Sequence, residues 1–433
     1  MIANSAMSSV SLLPKVAITG LGLVTPLGAT RQAFFAGLAE GRSAFSRSVE
    51  LSSQLPSEQR GQSLWAGCVD DFGAQAHIDA GKRRRMPRLA QMCVVAAREA
   101  LGLAPGVAPT ESAAVRTHGA DRVGVVLGTG LGGLSSTIEF VRSFIADGMA
   151  AASPAVFPYT VMNASSGLLA IELGLTGPNI TVNHRELSLP EAIATGAELI
   201  ATDRADAVLC GGCDELSPWL VHGLSQMSLL SPDLASAERP PIHPYEARGQ
   251  GIVPGEGAVV VLLERADRTL SGPALAYLSS VGRAGDHRAR VGWSAAGAAS
   301  SEAGAAITKS LQAAGLTADQ IDYVAGAGNG SSLDEMETSA LRQALGPAAE
   351  HVAISSVIGQ CGEWQTSAGV RLGAALWSLC AQKVPGTVHC EAPDPGRSLP
   401  GLVLSPRDAL VRHVLLPTLS QGGANVSLVL RKA

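Results

Sequence analysis

The chain has 433 residues, 46% hydrophobic and 16% charged, which excludes a disordered or coiled-coil protein and suits two or three packing units around a large core. Its 32 basic and 37 acidic side chains give a formal net charge of −5, so neither a nucleic-acid backbone nor an anionic membrane is the expected partner. Seven Cys, an odd number spread along the chain, suit reduced thiols rather than a disulfide framework.

The segment from Met1 to Val16 has no basic start and its apolar run is broken by Ser, so a signal peptide is not expected and a cytoplasmic protein is. Lys15 to Gly20 reads as the first strand, and residues 46–64 and 104–119 as surface loops. Lys82-Arg83-Arg84-Arg85 with Arg88 is the strongest charge cluster of an otherwise acidic chain. It suits a solvated helix start or the docking of an acidic partner. Arg122 to Gly130 is a second strand, followed by a helix from about Leu134. Its Gly128-Thr129-Gly130-Leu131-Gly132-Gly133 turn is not a dinucleotide loop, because no acidic residue ends a following strand at the required distance.

Asn179 to Val182 is the third strand. After it, Ser188 reads as a helix cap with Pro190 in the first turn and Glu191 favoured by the helix dipole, and the helix runs from Ala192 to about Ala201. His184, Glu186 and Ser188 do not make a hydrolytic triad, since residues two apart in a turn cannot align as nucleophile, base and orienter. Asp206 to Cys210 is the next strand, and Cys210-Gly211-Gly212-Cys213 reads as its end in a tight turn, because no second pair of ligands accompanies it. The apolar run from Ala258 to Leu263 is far short of the about 20 residues that span a bilayer.

A second half begins near Ala274, giving predicted units of 1–273 and 274–433. Ile321 to Val324 is a strand leading through a Gly-rich turn to a helix from about Leu333, echoing the Val123 unit. Val352 to Ser356 leads through Gly359 and Gly362 to a helix from about Ser367 to Cys380, echoing the Thr181 unit. Gly422-Gly423-Ala424-Asn425 then turns into a terminal strand, Val426 to Leu430. Strands alternating with Ala- and Leu-rich helices argue an α/β fold. His222, His243, His287 and His413 have no metal-ligand spacing, and no metal or cofactor is expected.

Taken in order, Val16-Ala17-Ile18-Thr19-Gly20-Leu21-Gly22 with Thr25-Pro26-Leu27-Gly28, Met162-Asn163, Gly177-Pro178-Asn179-Ile180-Thr181-Val182, Cys210-Gly211-Gly212, Pro244-Tyr245-Glu246, Gly255-Glu256-Gly257-Ala258, Asp334 with Glu337, and Gly422-Gly423-Ala424-Asn425 resemble the β-ketoacyl-acyl carrier protein synthases. The resemblance covers nearly the whole chain. It implies a thiolase-like layered αβαβα fold from two similar halves. Such enzymes use a Cys at a helix N-terminus to accept an acyl chain, and two His and a Lys to condense it with a decarboxylated malonyl unit.

Here the family's chemical positions are replaced. Glu186 stands at the Cys, Gly326 at the first His, Ile358 at the Lys and Glu363 at the second His. The aromatic gate before the last strand reads Leu419-Ser420-Gln421. A carboxylate is a weak nucleophile towards thioesters, Gly326 offers only backbone, and an ionised Glu363 repels a developing enolate. Relatives with Gln at the Cys position still decarboxylate malonyl thioesters, but through the His pair that this chain lacks.

An intact frame around an emptied centre is similar to the chain-length-factor, or ketosynthase-β, subunits. That resemblance implies a chain inactive alone for condensation, paired with a catalytic ketosynthase, and an acyl carrier protein for which Lys82, Arg83, Arg84, Arg85 and Arg88 are the candidate dock. Glu186 is then expected to hold helix-end amides without chemistry. Two alternatives stay open: an acyl hydrolase or acyltransferase using Glu186 or His184 in the same tunnel, and a homodimeric scaffold that binds acyl chains or carrier proteins.

Overall fold

The computed structural model describes residues 16–286 and 299–433; the N-terminal segment read above and His287 lie outside the described residues. Ten strands carry the fold: β1 (Val16–Val24), β2 (Val123–Gly128), β3 (Asn179–Val182), β4 (Ala207–Asp214), β5 (Gly257–Arg265), β6 (Ala276–Gly285), β7 (Tyr323–Ala325), β8 (Ala353–Ser355), β9 (His413–Leu419) and β10 (Ala424–Lys432). They form one mixed sheet in the order β8-β7-β9-β10-β6-β1-β5-β4-β2-β3.

That order contains the same five-strand arrangement twice. In the first half β1 pairs antiparallel with β5, β5 antiparallel with β4, and β4, β2 and β3 run parallel. In the second half β6 pairs antiparallel with β10, β10 antiparallel with β9, and β9, β7 and β8 run parallel. The halves join where β1 meets β6 antiparallel, Val16 opposite Leu278 and Ile18 opposite Ala276.

Five helices build the layers: α1 (Arg88–Ala100), α2 (Ser188–Ala201), α3 (Ala299–Ala314), α4 (Leu333–Leu345) and α5 (Ala368–Ala381). Helices α2 and α5 touch each other and lie between the halves, α2 against β4 and β10 and α5 against β9 and β5. Helix α1 covers the outer face of β1 and β5, and α3, with α4 beside it, covers β6 and β10. The result is the layered αβαβα order, with Leu189, Ile193, Leu376, Val261, Leu416 and Leu430 in its central core. Glycine allows the closest of these contacts: a Cβ at Gly22 would overlap the Ala96 carbonyl of α1.

Several elements differ from the sequence reading. Strands β6 and β9 were not expected, and α1 begins within the charged stretch of which only a helix start was read. The presumed loops contain an antiparallel pair, Ser46–Ser48 with Leu64–Ala66, and a helical turn at Ala113–His118. Cys210 and Cys213 both lie inside β4 rather than at a turn; burial pushes the Cys210 thiol up, and the hydrogen-bonded Cys93 thiol, with burial, raises that of Cys213. Ser188 is the first residue of α2, not its cap. Its hydroxyl accepts the His184 N–H at 2.9 Å and donates to the Arg185 carbonyl at 2.7 Å, which latches the turn before the helix.

Candidate functional site

A cavity of about 80 Å³ lies where the turn before α2, the loops after β7 and β8, and the β9–β10 turn converge. Glu186, Ile358, Glu363, Leu419 and Gln421 all line it, so residues far apart in sequence meet there, whereas Gly326 is not among the lining residues. Among the described residues, no Cys, His or Lys lines it.

Glu186 sits in the one-turn helix Arg185–Leu187, reached through a left-handed Arg185 with φ 50°. Its carboxylate does not hold helix-end amides. It accepts instead from the Ser420 hydroxyl at 2.7 Å, which ties the first half to the gate segment of the second. The His184 side chain is exposed and makes no hydrogen bond to Glu186 or Ser188.

Gly326 opens the loop after β7, and the reason for a glycine there is Tyr245. A Cβ at Gly326 would overlap the Tyr245 hydroxyl, and one at Gly328 would meet its ring. The phenol is wholly buried; it donates to Glu337 at 2.8 Å and accepts the Gly328 N–H at 3.1 Å. Tyr245 thus fills the space in which a side chain at 326 would start. Glu337 also accepts the Ala327 N–H at 2.7 Å, and Asp334 accepts the N–H groups of Tyr245 at 2.6 Å and Asn329 at 2.8 Å. Burial pushes the Asp334 carboxyl up to about 7.

Ile358 is fully buried and apolar, so no ammonium stands at its position. Glu363 accepts from Ser367 Oγ at 2.5 Å and from Asn329 Nδ2 at 3.2 Å. Burial, aided weakly by the charge of Glu186, raises its carboxyl to about 7 against those two donors. The sequence reading missed Arg371, an α5 residue only 3% exposed that also lines the cavity. Its Nε and Nη2 donate to the Ala325 carbonyl at 3.2 and 3.0 Å, and Nη2 also to that of Pro417. It missed Asp214 too. This buried carboxylate takes Thr129 Oγ1 and the Gly130 N–H on one side and the N–H and hydroxyl of Thr366 on the other, at 2.8–3.1 Å, and burial raises it to about 6.

The basic cluster divides. Arg88 is committed to the buried Glu256 at 2.7 and 2.9 Å and stacks over Phe72, so it is a structural cation. Lys82, Arg84 and Arg85 are exposed, Lys82 against Glu172 at 2.9 Å, and Arg83 is half-buried. Among the described residues no group of side chains is arranged to hold a metal, and no helix is long and apolar enough to cross a membrane.

Residues 14–269 match the model of the β-ketoacyl synthase N-terminal domain and residues 276–391 that of its C-terminal domain. The chain belongs to the β-ketoacyl synthase family. Within it, the 3-oxoacyl-[acyl-carrier-protein] synthase 2 of Synechocystis sp. is 30% identical over 427 residues, covering 96% of this chain and 98% of that relative. Two solved structures show the same thiolase-like fold. The ishigamide ketosynthase/chain length factor has a TM-score of 0.83 at 22% identity over 97% of this chain and 99% of its own. The ketosynthase ApeO in complex with its chain length factor ApeC, from Xenorhabdus doucetiae, has 0.79 at 24% identity over 99% and 100%. This synthase-family chain keeps the frame of that fold while its central cavity presents carboxyls, carboxamides and one guanidinium.

Proposed function

We propose that this chain is a non-catalytic, chain-length-factor-type subunit that pairs with an active ketosynthase and shapes its acyl tunnel in a type II polyketide, aryl-polyene or fatty-acid-like pathway. The observation that carries this reading is a central cavity in whose walls, among the described residues, there is no Cys, His or Lys. Without a thiolate there is no acyl acceptor, and the imidazoles and ammonium that serve the enolate in the family are missing from their positions. The carboxylate of Glu186 is instead spent on a structural bond to Ser420.

Pairing is supported by the free edge of the sheet. Strand β3 ends the strand order, and the helix Ala164–Leu173 beside it leaves Ile171 79% exposed, with Phe157 at 55% and Met149 at 83% on neighbouring turns. An unpaired edge flanked by apolar side chains is a template for a second chain. The solved complex of ApeO with ApeC supports a ketosynthase as that chain. The exposed Lys82, Arg84 and Arg85 support an acidic carrier protein as a further partner.

The test is co-expression with an intact ketosynthase encoded beside it, read by size exclusion with mass analysis. A one-to-one complex is expected, and the chain alone forms no condensation product from acyl and malonyl carrier thioesters. Condensation by the purified chain alone overturns the reading, and a homodimer that ignores the ketosynthase supports the scaffold alternative in its place.

A further inference from the structure

One wall of the cavity is thin. Leu419 and Gln421, at the β9–β10 turn, line it, whereas Gly422, the next residue, is exposed and a Cβ added there would meet nothing. On that side a single segment of chain separates the cavity from solvent. Gly422 is followed by Gly423 at φ 79°, and two successive glycines, one left-handed, give the segment a hinge. Two bonds are internal to the turn: the Ser420 N–H donates to the Ala424 carbonyl at 3.0 Å and the Gly423 N–H to that of Ser420 at 2.9 Å. Two others reach it from outside the hairpin. The Asp286 N–H donates to the Gly423 carbonyl at 2.9 Å and so secures the hinge, while Glu186 accepts the Ser420 hydroxyl at 2.7 Å and so holds the end that faces the cavity. Ser420 is 5% exposed, which shields this charge-assisted bond from water. The Arg185 that delivers Glu186 is a non-glycine residue at φ 50°, a conformation kept only where the surroundings enforce it.

We infer that residues 420–423 form a lid on the central cavity and that Glu186 is the latch that holds it shut. The latch joins the first half of the chain to the second across 234 residues, so it forms only in the folded molecule. With the bond in place, Leu419 and Gln421 complete the wall. With it released, rotation about Gly422 and Gly423 carries Ser420 and Gln421 outward and opens the cavity to small solutes. The lid belongs to this chain alone, so it is observed without a partner.

A thiol placed on the inner wall tests this. Ser367 lines the cavity at the N-terminal end of α5, and Ser367→Cys changes its volume little. Alkylation of this full-length variant by iodoacetamide, read peptide by peptide in a mass spectrometer, reports how often the cavity opens. Adding Glu186→Ala is expected to speed alkylation at position 367 by about tenfold or more, the equivalent of one charge-assisted hydrogen bond. Ser420→Ala is expected to do the same, and because it keeps the carboxylate it separates release of the latch from a change of charge in the cavity. The two together should be no faster than either alone, since both remove one contact. Cys93 and Cys213, wholly buried away from the cavity, should react no faster in any variant. An unchanged rate at position 367 in Glu186→Ala or in Ser420→Ala overturns the inference. So do multiplying effects in the double variant, or Cys93 and Cys213 accelerating in step, which would mark loosening of the whole fold.

Discussion

Placing an alanine at Gly326 tests whether Tyr245 occupies the place of the missing imidazole. The new Cβ would overlap the Tyr245 hydroxyl and lie 3.1 Å from Ile354 Cγ1, so the phenol has to move. The ring is wholly buried, which makes the displacement an overpacking event costing about 1–3 kcal/mol. Moving it also strains the 2.8 Å bond to the Glu337 carboxylate, a charge-assisted contact worth about 1.5–3 kcal/mol. Gly326→Ala should therefore lose about 2–4 kcal/mol in urea denaturation, with an unchanged slope. Tyr245→Phe loses the bond but clears the overlap. In the double variant the two losses should fall short of their sum by at least about 1 kcal/mol. Additive losses, or a Gly326→Ala variant as stable as the parent, would refute the account. The same overlap predicts that Gly326→His alone cannot rebuild a catalytic imidazole.

Glu186→Cys should gain no condensing activity with acyl and malonyl carrier thioesters, measured by mass spectrometry of the products, because positions 326, 358 and 363 still offer no enolate stabiliser. The Glu363 carboxyl stands at about 7 in the fold, above its unfolded value, so its contribution is full below about pH 4.5 and is lost as pH rises through 7. Glu363→Gln should accordingly gain about 1–3 kcal/mol relative to the parent on going from pH 5 to pH 8, in paired urea titrations. Asp214→Ala strands donors of both halves, from Gly130 to Thr366, and should cost about 3 kcal/mol or more by the same assay. Reversing Lys82, Arg84 and Arg85 to Glu should weaken carrier-protein binding in surface plasmon resonance with little change in stability. Arg88→Ala should instead destabilise by about 1–3 kcal/mol, since the buried Glu256 loses its cation and keeps only the Val69 and Leu216 N–H donors.

Much of the frame was legible because it depends on local pattern. The β-branched run Asn179 to Val182 is a strand with the bounds read from sequence, and the α4 start at Leu333 follows its Gly-rich turn. Strand β9 escaped because Pro417 interrupts it, yet the Pro417 carbonyl is needed by Arg371. Strand β6 escaped because its Ser, Arg and Gly dilute the apolar signal, though alternate side chains are buried. Three of the replaced positions, Glu186, Ile358 and Glu363, meet in one cavity because turns carry them there. Their new partners were invisible: Tyr245 and Gly326, or Glu186 and Ser420, are joined only by the fold. Arg371, a lone charge in an Ala- and Leu-rich helix, looks like a solvated face until its burial is known.

The pairing of β1 with β5 has a consequence for biogenesis. Val16–Val24 finds its first neighbour only when Gly257–Arg265 has been made, and its second at Ala276–Leu278. At about 5–20 residues per second, the ribosome takes on the order of 10–50 s to supply that neighbour. During this interval a nascent nonapeptide that is almost wholly buried in the finished protein has no sheet to join. The chain should therefore emerge as a client of holding chaperones, and depletion of those factors should lower its soluble yield before it affects any property of the folded molecule.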